Sequence, residues 1–558
     1  MVRRVMNLVY KEVRGLHQAA YVLGIFAFGS QILALVRDRM LAHQFGAGID
    51  LDLYYAAFRI PDLMYVVFAS TLSVYVLIPF VAERMRRDDG EEARALLSQM
   101  FTIFLFVYTL IAAIVFVAIP YVVPYIFPGV SGETEALSNL IRILLLQPLF
   151  LGLSSLFGVV TQLGHRFVLY ALSPLLYNVG IIIGIGLLYP HFGLSGLAYG
   201  VVLGACAHFC IQVPLVQKSA LRFSLARTID WKVIRSVLMV SIPRAATLSM
   251  HQFELLALVS ITSMMTVGSV SVFQFAYNLQ SVPLAIIGAS YSTAAFPLLA
   301  DLFAEKRMDD FRVHLTTAVR HIIFWSFPVI GLVVVLRAQM VRVVLGSGAF
   351  DWGDTRLTAA VLALLTMSLF AQAINLLLVR AFYASGVTRT PFLVALGGCI
   401  LSISLVVLLY GVYIASPNTF MALENAMRVG QVPGSEVLVV ALGYSLGMLI
   451  QTGILVFVSV RHFELPTAWL LPHFARASFA SFAGGLASYV VINFFVEGLN
   501  TDTFIGIFLQ GALGGIIGIA GVVVAYKCVG SPELNEIYRS LHSRVFKARI
   551  VASEDNVL

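Results

Sequence analysis

Long apolar stretches, separated by short polar connections, follow one another along most of the chain. A transmembrane helix needs about 20 mainly apolar residues, and fourteen windows meet that requirement. The pattern therefore predicts an all-α polytopic membrane protein with about 14 transmembrane helices. The windows lie near 20–42, 54–82, 100–126, 137–163, 169–189, 194–216, 236–263, 269–303, 313–338, 357–384, 391–414, 436–460, 473–496 and 503–527.

Lysine and arginine collect in the connections on one side of the predicted membrane. Connections after even-numbered windows read "ERMRRDDGEEAR", "QKSALRFSLARTIDWKVIR" and "AEKRMDDFR", whereas "FPGVSGETEAL", "YPHFGLSG" and "VEGLNTDT" on the other side lack both residue types. Cytoplasmic loops carry the excess of positive charge, so both termini are predicted to be cytoplasmic. Residues 1–19 are predicted to form an interfacial helix, and 528–558 a cytoplasmic tail that lies on the inner leaflet or is solvated.

The chain also repeats itself. Marker residues of the first half recur in order about 220 positions later, and the offset rises after a polar insert, "SPNTFMALENAMRVGQVPGSE". Six windows per half give a parallel repeat, as in two-lobed alternating-access transporters. The prediction is an N-lobe at 20–216, a cytoplasmic linker at 217–235, a C-lobe at 236–460 and two extra spans within 473–527. The aligned pairs are Gly48 with Gly268, Pro79 with Pro297, Gly164 with Gly386, and Gly200 with Gly443.

Composition supports the membrane assignment. Hydrophobic residues make up 59% of the chain and charged residues 12%, against about 25% charged residues in soluble domains. The net charge of +7 predicts attraction to anionic lipid headgroups, not to nucleic acid. Four scattered cysteines predict neither a disulfide framework nor a metal site.

Several charged residues interrupt the apolar windows. Arg37 and Asp38 end the first window, and Asp52 and Arg59 follow at the start of the second. Charges inside a span usually face a bundle interior or a polar path, so these four are candidate substrate ligands. The alternative for Arg37 and its neighbour Arg39 is interfacial anchoring, and for Asp52 and Arg59 a structural ion pair.

A second charged group lies in the seventh window, where Arg244, His251 and Glu254 occupy an apolar helix. His251 and Glu254 are three residues apart and share a face. They are candidates for ion coupling or for lining the cavity; an interhelical hydrogen bond is the alternative. No P-loop, nucleophile elbow or metal-ligand spacing accompanies them. The sequence therefore predicts a transporter that is not an enzyme, has no cofactor, and is driven by a Na⁺ or H⁺ gradient or the membrane potential.

Three stretches resemble one known family. "LALVRDRMLAHQFGAGIDLDLYYAAFRIPDLM", "TVGSVSVFQFAYNLQSVPLAIIG" and "LVRAFYASGVTRTP" are similar to the MurJ/MviN lipid II flippases of the multidrug/oligosaccharidyl-lipid/polysaccharide exporter superfamily. The resemblance implies fourteen spans, a central cationic cavity and a groove for the lipid tail. It also implies translocation of the lipid-linked peptidoglycan precursor across the bacterial inner membrane for cell-wall synthesis.

The resemblance assigns roles to particular residues. It implies that Arg37, Asp38, Asp52 and Arg59 bind substrate. Four family cavity positions are altered, and three of them lose a cation. Two alternatives therefore stay open: a paralogue that exports another lipid-linked or amphipathic substrate, and a non-transporting scaffold for envelope-synthesis proteins. The altered positions are Gln31, Tyr65, Asn278 and Ser281.

Overall fold

The computed structural model describes residues 16–69, 74–85, 90–468, 470–495 and 503–545. Helices are the regular elements of these described residues. Most of the predicted interfacial helix at 1–19 and the end of the predicted tail lie outside them.

The helices are numbered here in chain order. Short 3₁₀ segments at Pro128–Glu133 and Pro417–Phe420 and π-helical segments at Gly184–Leu188, Ala285–Ala289 and Val491–Phe495 connect some of them. The α-helices are α1 Leu16–Phe45, α2 Ile49–Ala57, α3 Arg59–Ala69, α4 Val74–Met85, α5 Glu91–Ile126, α6 Thr134–Leu144, α7 Leu146–Leu163, α8 Phe167–Ile183, α9 Tyr189–Phe192, α10 Leu194–Cys210, α11 Val213–Lys218, α12 Trp231–Ser263, α13 Ser269–Leu284, α14 Ser290–Ala304, α15 Met308–Val344, α16 Trp352–Thr366, α17 Leu369–Ala384, α18 Arg389–Ala415, α19 Met421–Met427, α20 Val437–Phe463, α21 Leu470–Val490, α22 Phe504–Cys528 and α23 Pro532–Val545.

The apolar helices agree with the predicted windows. Among the described residues, 10 helices are long and apolar enough to cross a membrane, or up to 12 if each of two bent pairs counts as one span. All of them coincide with predicted windows. The first window falls in α1, and the second covers α2 to α4, a stretch that includes the undescribed residues 70–73. The all-α polytopic class is confirmed, and the count of fourteen stays a prediction.

The chain divides into two compact units. The first consists of Met1–Val282, Val344–Leu365 and Val387–Gln451, and the second of Pro283–Val343, Thr366–Gly386 and Thr452–Leu558. A buried core in the first unit joins α4, α5 and α7 around Phe104 and Tyr108. The predicted lobes at 20–216 and 236–460 stay a prediction.

Within the first unit, the turn that joins α1 to α2 packs against the turn that joins α12 to α13. Gly268 has a φ of +93°, and a Cβ there would lie 2.1 Å from the carbonyl oxygen of Ala47. Only glycine accommodates both the positive φ and this approach. The two turns belong to aligned segments of the sequence repeat, and their contact brings the start of α13 beside α2.

Glycines allow α8 and α10 to touch along their backbones. A Cβ on Gly180 would lie 2.2 Å from the Cα of Gly204, and one on Gly184 would lie 2.8 Å from the Cα of Gly200. Small residues at four-residue spacing permit this close packing of helices in membranes. The contact fixes the position of Asn178, which lies half a turn before Gly180 on α8.

We expect Gly180→Ala to lower the thermal unfolding midpoint of the purified protein. The added methyl group has no space, and overpacking typically costs about 1–3 kcal/mol. Gly186→Ala is the matched control, because its Cβ would meet only the end of the Met40 side chain at 3.9 Å. Equal midpoints for the two variants would contradict the close packing of α8 on α10.

In the second unit, the last described helix, α23, is held by ionic contacts. The Glu533 carboxylate, 3% exposed, accepts a hydrogen bond from Arg320 of α15 at 2.9 Å and lies 3.0 Å from His473 of α21. Leu534 and Ile537 pack on a small apolar cluster that includes Phe324 and Tyr526. Burial alone would raise the pKa of Glu533, but hydrogen bonds from Ser531 and Arg320 and the adjacent His473 hold it below its usual value.

The depressed pKa of Glu533 predicts that α23 loosens in acid. A carboxyl with a lowered folded-state pKa stabilises the fold above its unfolded pKa of about 4.3 and loses that contribution as the pH falls through the folded value. We therefore expect amide exchange in α23, corrected for intrinsic rates, to be slow at pH 7 and to accelerate below about pH 4. Glu533→Gln should accelerate it already at pH 7, whereas Asn535→Ala, at an exposed position, should not.

Candidate functional site

A polar cavity of about 200 Å³ lies within the helices of the first unit. Its walls come from α1, α2, α3, α8 and α13, so helices far apart in the sequence meet around it. Apolar walls are supplied by Leu41, Phe58 and Ile181. The polar lining residues are Arg37, Tyr54, Tyr55, Arg59, Asp62, Tyr177, Gln274 and Asn278.

Arg37 faces the cavity and is held by its neighbour. Its Nε donates to the Asp38 carboxylate at 2.9 Å, and its Nη2 lies 2.8 Å from the same oxygen. A third bond, from Nη1 to the Asn178 side chain of α8, measures 3.2 Å. Arg39 instead donates to the backbone carbonyl of Val344 at 3.3 Å. The structure therefore separates Arg37, a cavity residue, from Arg39.

Arg59 reaches the same cavity from α3. Its guanidinium donates to the side-chain oxygen of Gln274, and its Nε has no hydrogen-bond partner in the part of the chain that the structure describes. Gln274 donates to Asn278 at 2.6 Å, and Asn278 donates to Asp38 at 3.1 Å. A continuous line of hydrogen bonds thus connects Arg59 through α13 to the Arg37–Asp38 pair.

Asp62 supplies the carboxylate that lies in the cavity lining itself. It lies one turn after Arg59 on α3, interacts electrostatically with it, and accepts a hydrogen bond from Gln147 of α7 at 3.3 Å. With Asp38 beside Arg37, the two arginines are matched by two carboxylates. Asp62 was not predicted from the sequence, although its three-residue spacing from Arg59 was a usable signal.

Three tyrosines complete the polar wall. Tyr54 and Tyr55 are neighbours on α2 with ring centroids 5.5 Å apart, and Tyr177 comes from α8. The Tyr55 hydroxyl is buried and has no partner among the described residues. Hydroxyls both donate and accept hydrogen bonds, so this wall suits the hydroxyl and amide groups of a polar ligand. These residues also were not anticipated from the sequence.

Asp52 lies outside the cavity lining and is not paired with Arg59. Its carboxylate accepts hydrogen bonds from the backbone amides of Gly268 and Ser271, at 2.6 and 2.8 Å, and from the Ser271 hydroxyl at 2.5 Å. Asp52 therefore caps the first turn of α13 from a different helix. Free amides and the helix dipole make a helix N-terminus attractive to a carboxylate.

The predicted coupling residues form a separate cluster on α12. His251 is hydrogen-bonded to the Tyr277 hydroxyl of α13 at 2.9 Å and lies 3.6 Å from the Glu254 carboxylate. Glu254 is 3% exposed, and its Oε1 has no hydrogen-bond partner among the described residues. Arg244 is half-buried on the same helix, and none of these three α12 residues lines the described cavity.

Comparison with known proteins identifies the family. The family model described as "Lipid II flippase MurJ" matches residues 41–509. The chain belongs to this family. A lipid II flippase MurJ from Burkholderia cenocepacia is 24% identical over 391 residues, which cover 68% of this chain and 76% of that protein. A probable lipid II flippase MurJ from Thermotoga maritima is 28% identical over 395 residues, with coverages of 70% and 78%.

Solved structures show the same fold. An inward closed conformation of lipid II flippase MurJ matches with a TM-score of 0.72 at 22% identity and covers 91% of this chain and 99% of that one. An inward-facing MATE family transporter of the MOP superfamily matches with a TM-score of 0.62 at 12% identity, with coverages of 78% and 94%. The MurJ family is a family of transporters, and this member is a multi-pass membrane protein.

The positions predicted to depart from the family pattern now have a structural context. Asn278, predicted to stand at the position of a family arginine, is the bridge between Gln274 and Asp38. Tyr65 on α3 and Gln31 on α1 are half-buried, and Ser281 donates to the Asn278 carbonyl oxygen at 2.6 Å. The family resemblance implied a cationic cavity. Here Arg37, Arg59 and Asp62 line the cavity, and Asp38 pairs with Arg37 beside it.

Proposed function

We propose that this protein moves lipid II from the inner to the outer leaflet of the bacterial cytoplasmic membrane by alternating access. The observation that carries the proposal is that Arg37 and Arg59 line one buried cavity within the apolar helices of a MurJ family member. Buried arginines in a membrane protein mark a path for a polar or charged group. Arginine is also the side chain best suited to bind phosphate through paired hydrogen bonds.

The diphosphate of lipid II is the group that these arginines would hold. The Nε of Arg59 has no hydrogen-bond partner within the described ranges, and Arg37 can exchange its Asp38 contact for a phosphate oxygen. The tyrosine hydroxyls around the cavity then offer hydrogen bonds to the sugar next to the diphosphate. A lipid diphosphate thereby obtains charged partners for its anionic part and neutral polar partners for its sugar.

The cavity must open for the whole headgroup to enter. A volume of about 200 Å³ is below the range of about 300–1,000 Å³ typical of drug-sized ligand pockets, and a disaccharide pentapeptide is larger still. The Asp52 contact with α13 closes the end of the bundle where α1 meets α2, which the loop charges predict to be the outer side. Its release would open the cavity outward.

We propose that Glu254 is the site of ion coupling, which supplies the energy for the transport cycle. One oxygen of this buried carboxylate has no hydrogen-bond partner among the residues that the structure covers, so it is the atom that would take up a proton or contact a sodium ion. His251 connects Glu254 to Tyr277, and Tyr277 is adjacent to the cavity residue Asn278 on α13. Neutralising Glu254 would therefore act on the helix that also contacts Asp38 and Arg59.

Glu254→Gln is expected to remove the response of lipid II flux to an imposed ion gradient or membrane potential, because an amide does not take up a proton and lacks the negative charge that attracts a cation. Flux would be measured in reconstituted vesicles with and without the gradient. Glu424→Gln is the control, since that carboxylate bonds Ser435 at 2.8 Å outside the cavity. A Glu254→Gln protein that still responds fully would contradict the coupling proposal.

Native mass spectrometry of the purified protein tests the substrate. Lipid II, undecaprenyl phosphate and an anionic phospholipid would be offered in competition. Selective retention of lipid II is the expected result. Because charged residues of both signs lie at the cavity, a lipid-linked substrate with less negative charge is the specific alternative. Preference for undecaprenyl phosphate, or for none of the lipids, would contradict the lipid II proposal.

A further inference from the structure

One face of α13 carries a row of polar side chains that contact three different helices. Ser271, Gln274 and Asn278 are spaced by three and four residues, which places them on one side of a helix with 3.6 residues per turn. Ser271 donates to Asp52 of α2. The other two contacts are Gln274 with Arg59 of α3 and Asn278 with Asp38 of α1.

This polar seam, defined as Ser271, Gln274 and Asn278, is buried at nearly every contact. Exposure is 0% for Ser271 and 9% for Gln274, and the three charged partners are 4–6% exposed. Hydrogen bonds to a buried charge are stronger than neutral ones, and water does not replace them easily. The seam therefore holds α13 firmly against α1, α2 and α3 in this conformation.

The seam and the proposed phosphate ligands share the same charged groups. Arg59 is both the partner of Gln274 and a cavity cation. Asp38 is both the partner of Asn278 and the carboxylate that holds Arg37. A diphosphate that draws Arg37 away leaves Asp38 beside another anion, and like charges repel. A diphosphate that takes Arg59 removes the donor from Gln274.

We infer that Gln274 and Asn278 are positioning residues that hold α13 against α1 and α3 while the cavity is empty, and that a bound diphosphate releases them. The release passes along α13 to its first turn, where Asp52 holds the amides of Gly268 and Ser271. Headgroup binding thereby loosens the contact that closes the predicted outer side. This inference rests on the proposed function for its trigger, but the hold itself can be tested without any lipid.

The test is hydrogen exchange of the Gly268 and Ser271 amides, which report directly on the Asp52 contact. Gln274→Leu removes the acceptor for Arg59 and the donor to Asn278, so exchange at these amides should accelerate about tenfold or more without ligand, as expected from losing at least one hydrogen bond to a charged group. Gln274→Glu also loses the donor to Asn278, but it replaces the Arg59 bond by an ion pair, which is stronger than the neutral bond lost. Exchange should therefore be slower than in the natural protein and should respond less to lipid II.

Ser281→Ala is the matched control on the same helix, because Ser281 bonds only to the Asn278 carbonyl in the described contacts, and it should behave like the natural protein. Exchange in α8 and α10, measured in the same experiment, establishes that each variant is folded. Opposite shifts for the leucine and glutamate variants support the inference, since a general loss of stability would move both in the same direction.

Unchanged exchange in ligand-free Gln274→Leu, or shifts of the same sign in both Gln274 variants, would overturn the inference. So would lipid II that binds the natural protein, seen by native mass spectrometry, without accelerating exchange at Gly268 and Ser271. Failure of the proposed function has a different signature, which is a natural protein that does not retain lipid II at all. In either case, the ligand-free Gln274→Leu result shows whether Gln274 holds α13 in place.

Discussion

Replacing Arg37 by alanine is expected to reduce lipid II translocation by at least an order of magnitude. A hydrogen bond to a charged group contributes about 1.5–3 kcal/mol, which corresponds to about tenfold to more than a hundredfold in binding. Arg39→Ala should retain nearly full activity, because Arg39 bonds the backbone carbonyl of Val344 and not the cavity. Flux in reconstituted vesicles and lipid II binding would be measured for both variants.

Loss of Arg37 also has a structural effect that must be separated from the functional one. Asp38 is 4% exposed, and removing one partner of a buried ion pair typically costs about 3–5 kcal/mol. The double variant Arg37→Ala with Asp38→Asn removes both charges and keeps a side chain that can accept from Asn278. It should regain thermal stability relative to Arg37→Ala and should still not bind lipid II. A double variant that regains transport would show that Arg37 only neutralises Asp38.

The second large effect is expected at Asp52. Asp52→Ala leaves the amides of Gly268 and Ser271 without their acceptor, and losing even one such bond, about 1.5 kcal/mol, shifts a two-conformation equilibrium about tenfold. The population should move toward the outward-open form. Flux should fall, because the return to the closed outer side becomes unfavourable.

Ala47→Cys, in the α1–α2 turn beside Gly268, provides a labelling site that reports on this change. The four native cysteines are first replaced by serine. We expect a membrane-impermeant maleimide added from outside to label that site faster in Asp52→Ala than in the natural background. Asp50→Ala, in the first turn of the same helix, is the control and should not accelerate labelling. Equal labelling in all three proteins would contradict a closing role for Asp52.

The helices and the family were accessible from the sequence, because hydropathy marks spans directly and the motifs are local. The first window and α1 agree, and "FGAG" marks the turn after it. Arg37, Asp38 and Arg59 were expected to line an internal path; Arg37 and Arg59 line one cavity, and Asp38 pairs with Arg37 beside it. Asp52 was grouped with them, but its contact is the N-terminus of α13.

The remaining parts of the site depend on packing between distant segments. Asn278 counted in the sequence as a lost family cation, yet it contacts Asp38, 240 positions away. Neither spacing nor composition reveals which face of α13 meets α1. The tyrosines of the cavity were missed for the same reason, since their apolar neighbours in sequence give no sign that they share a cavity, and Asp62 had only its spacing from Arg59 as a signal.

The balanced charges give this family member a distinct way to bind an anion. Arg37 and Arg59 are held by Asp38 and Gln274, so a phosphate must compete with groups already in place. Competition lowers affinity, but it couples binding to a rearrangement, because the ligand uses contacts that also hold α13. A cavity of unpaired arginines would bind the phosphate more tightly, but binding would be coupled less to a movement of α13.

The most direct test of the account is a structure of the protein with lipid II bound in a lipid nanodisc. We expect phosphate oxygens within hydrogen-bonding distance of the guanidinium groups of Arg37 and Arg59, with the Arg37–Asp38 and Arg59–Gln274 contacts broken. A bound lipid II whose diphosphate lies elsewhere, with both of those contacts intact, would contradict it.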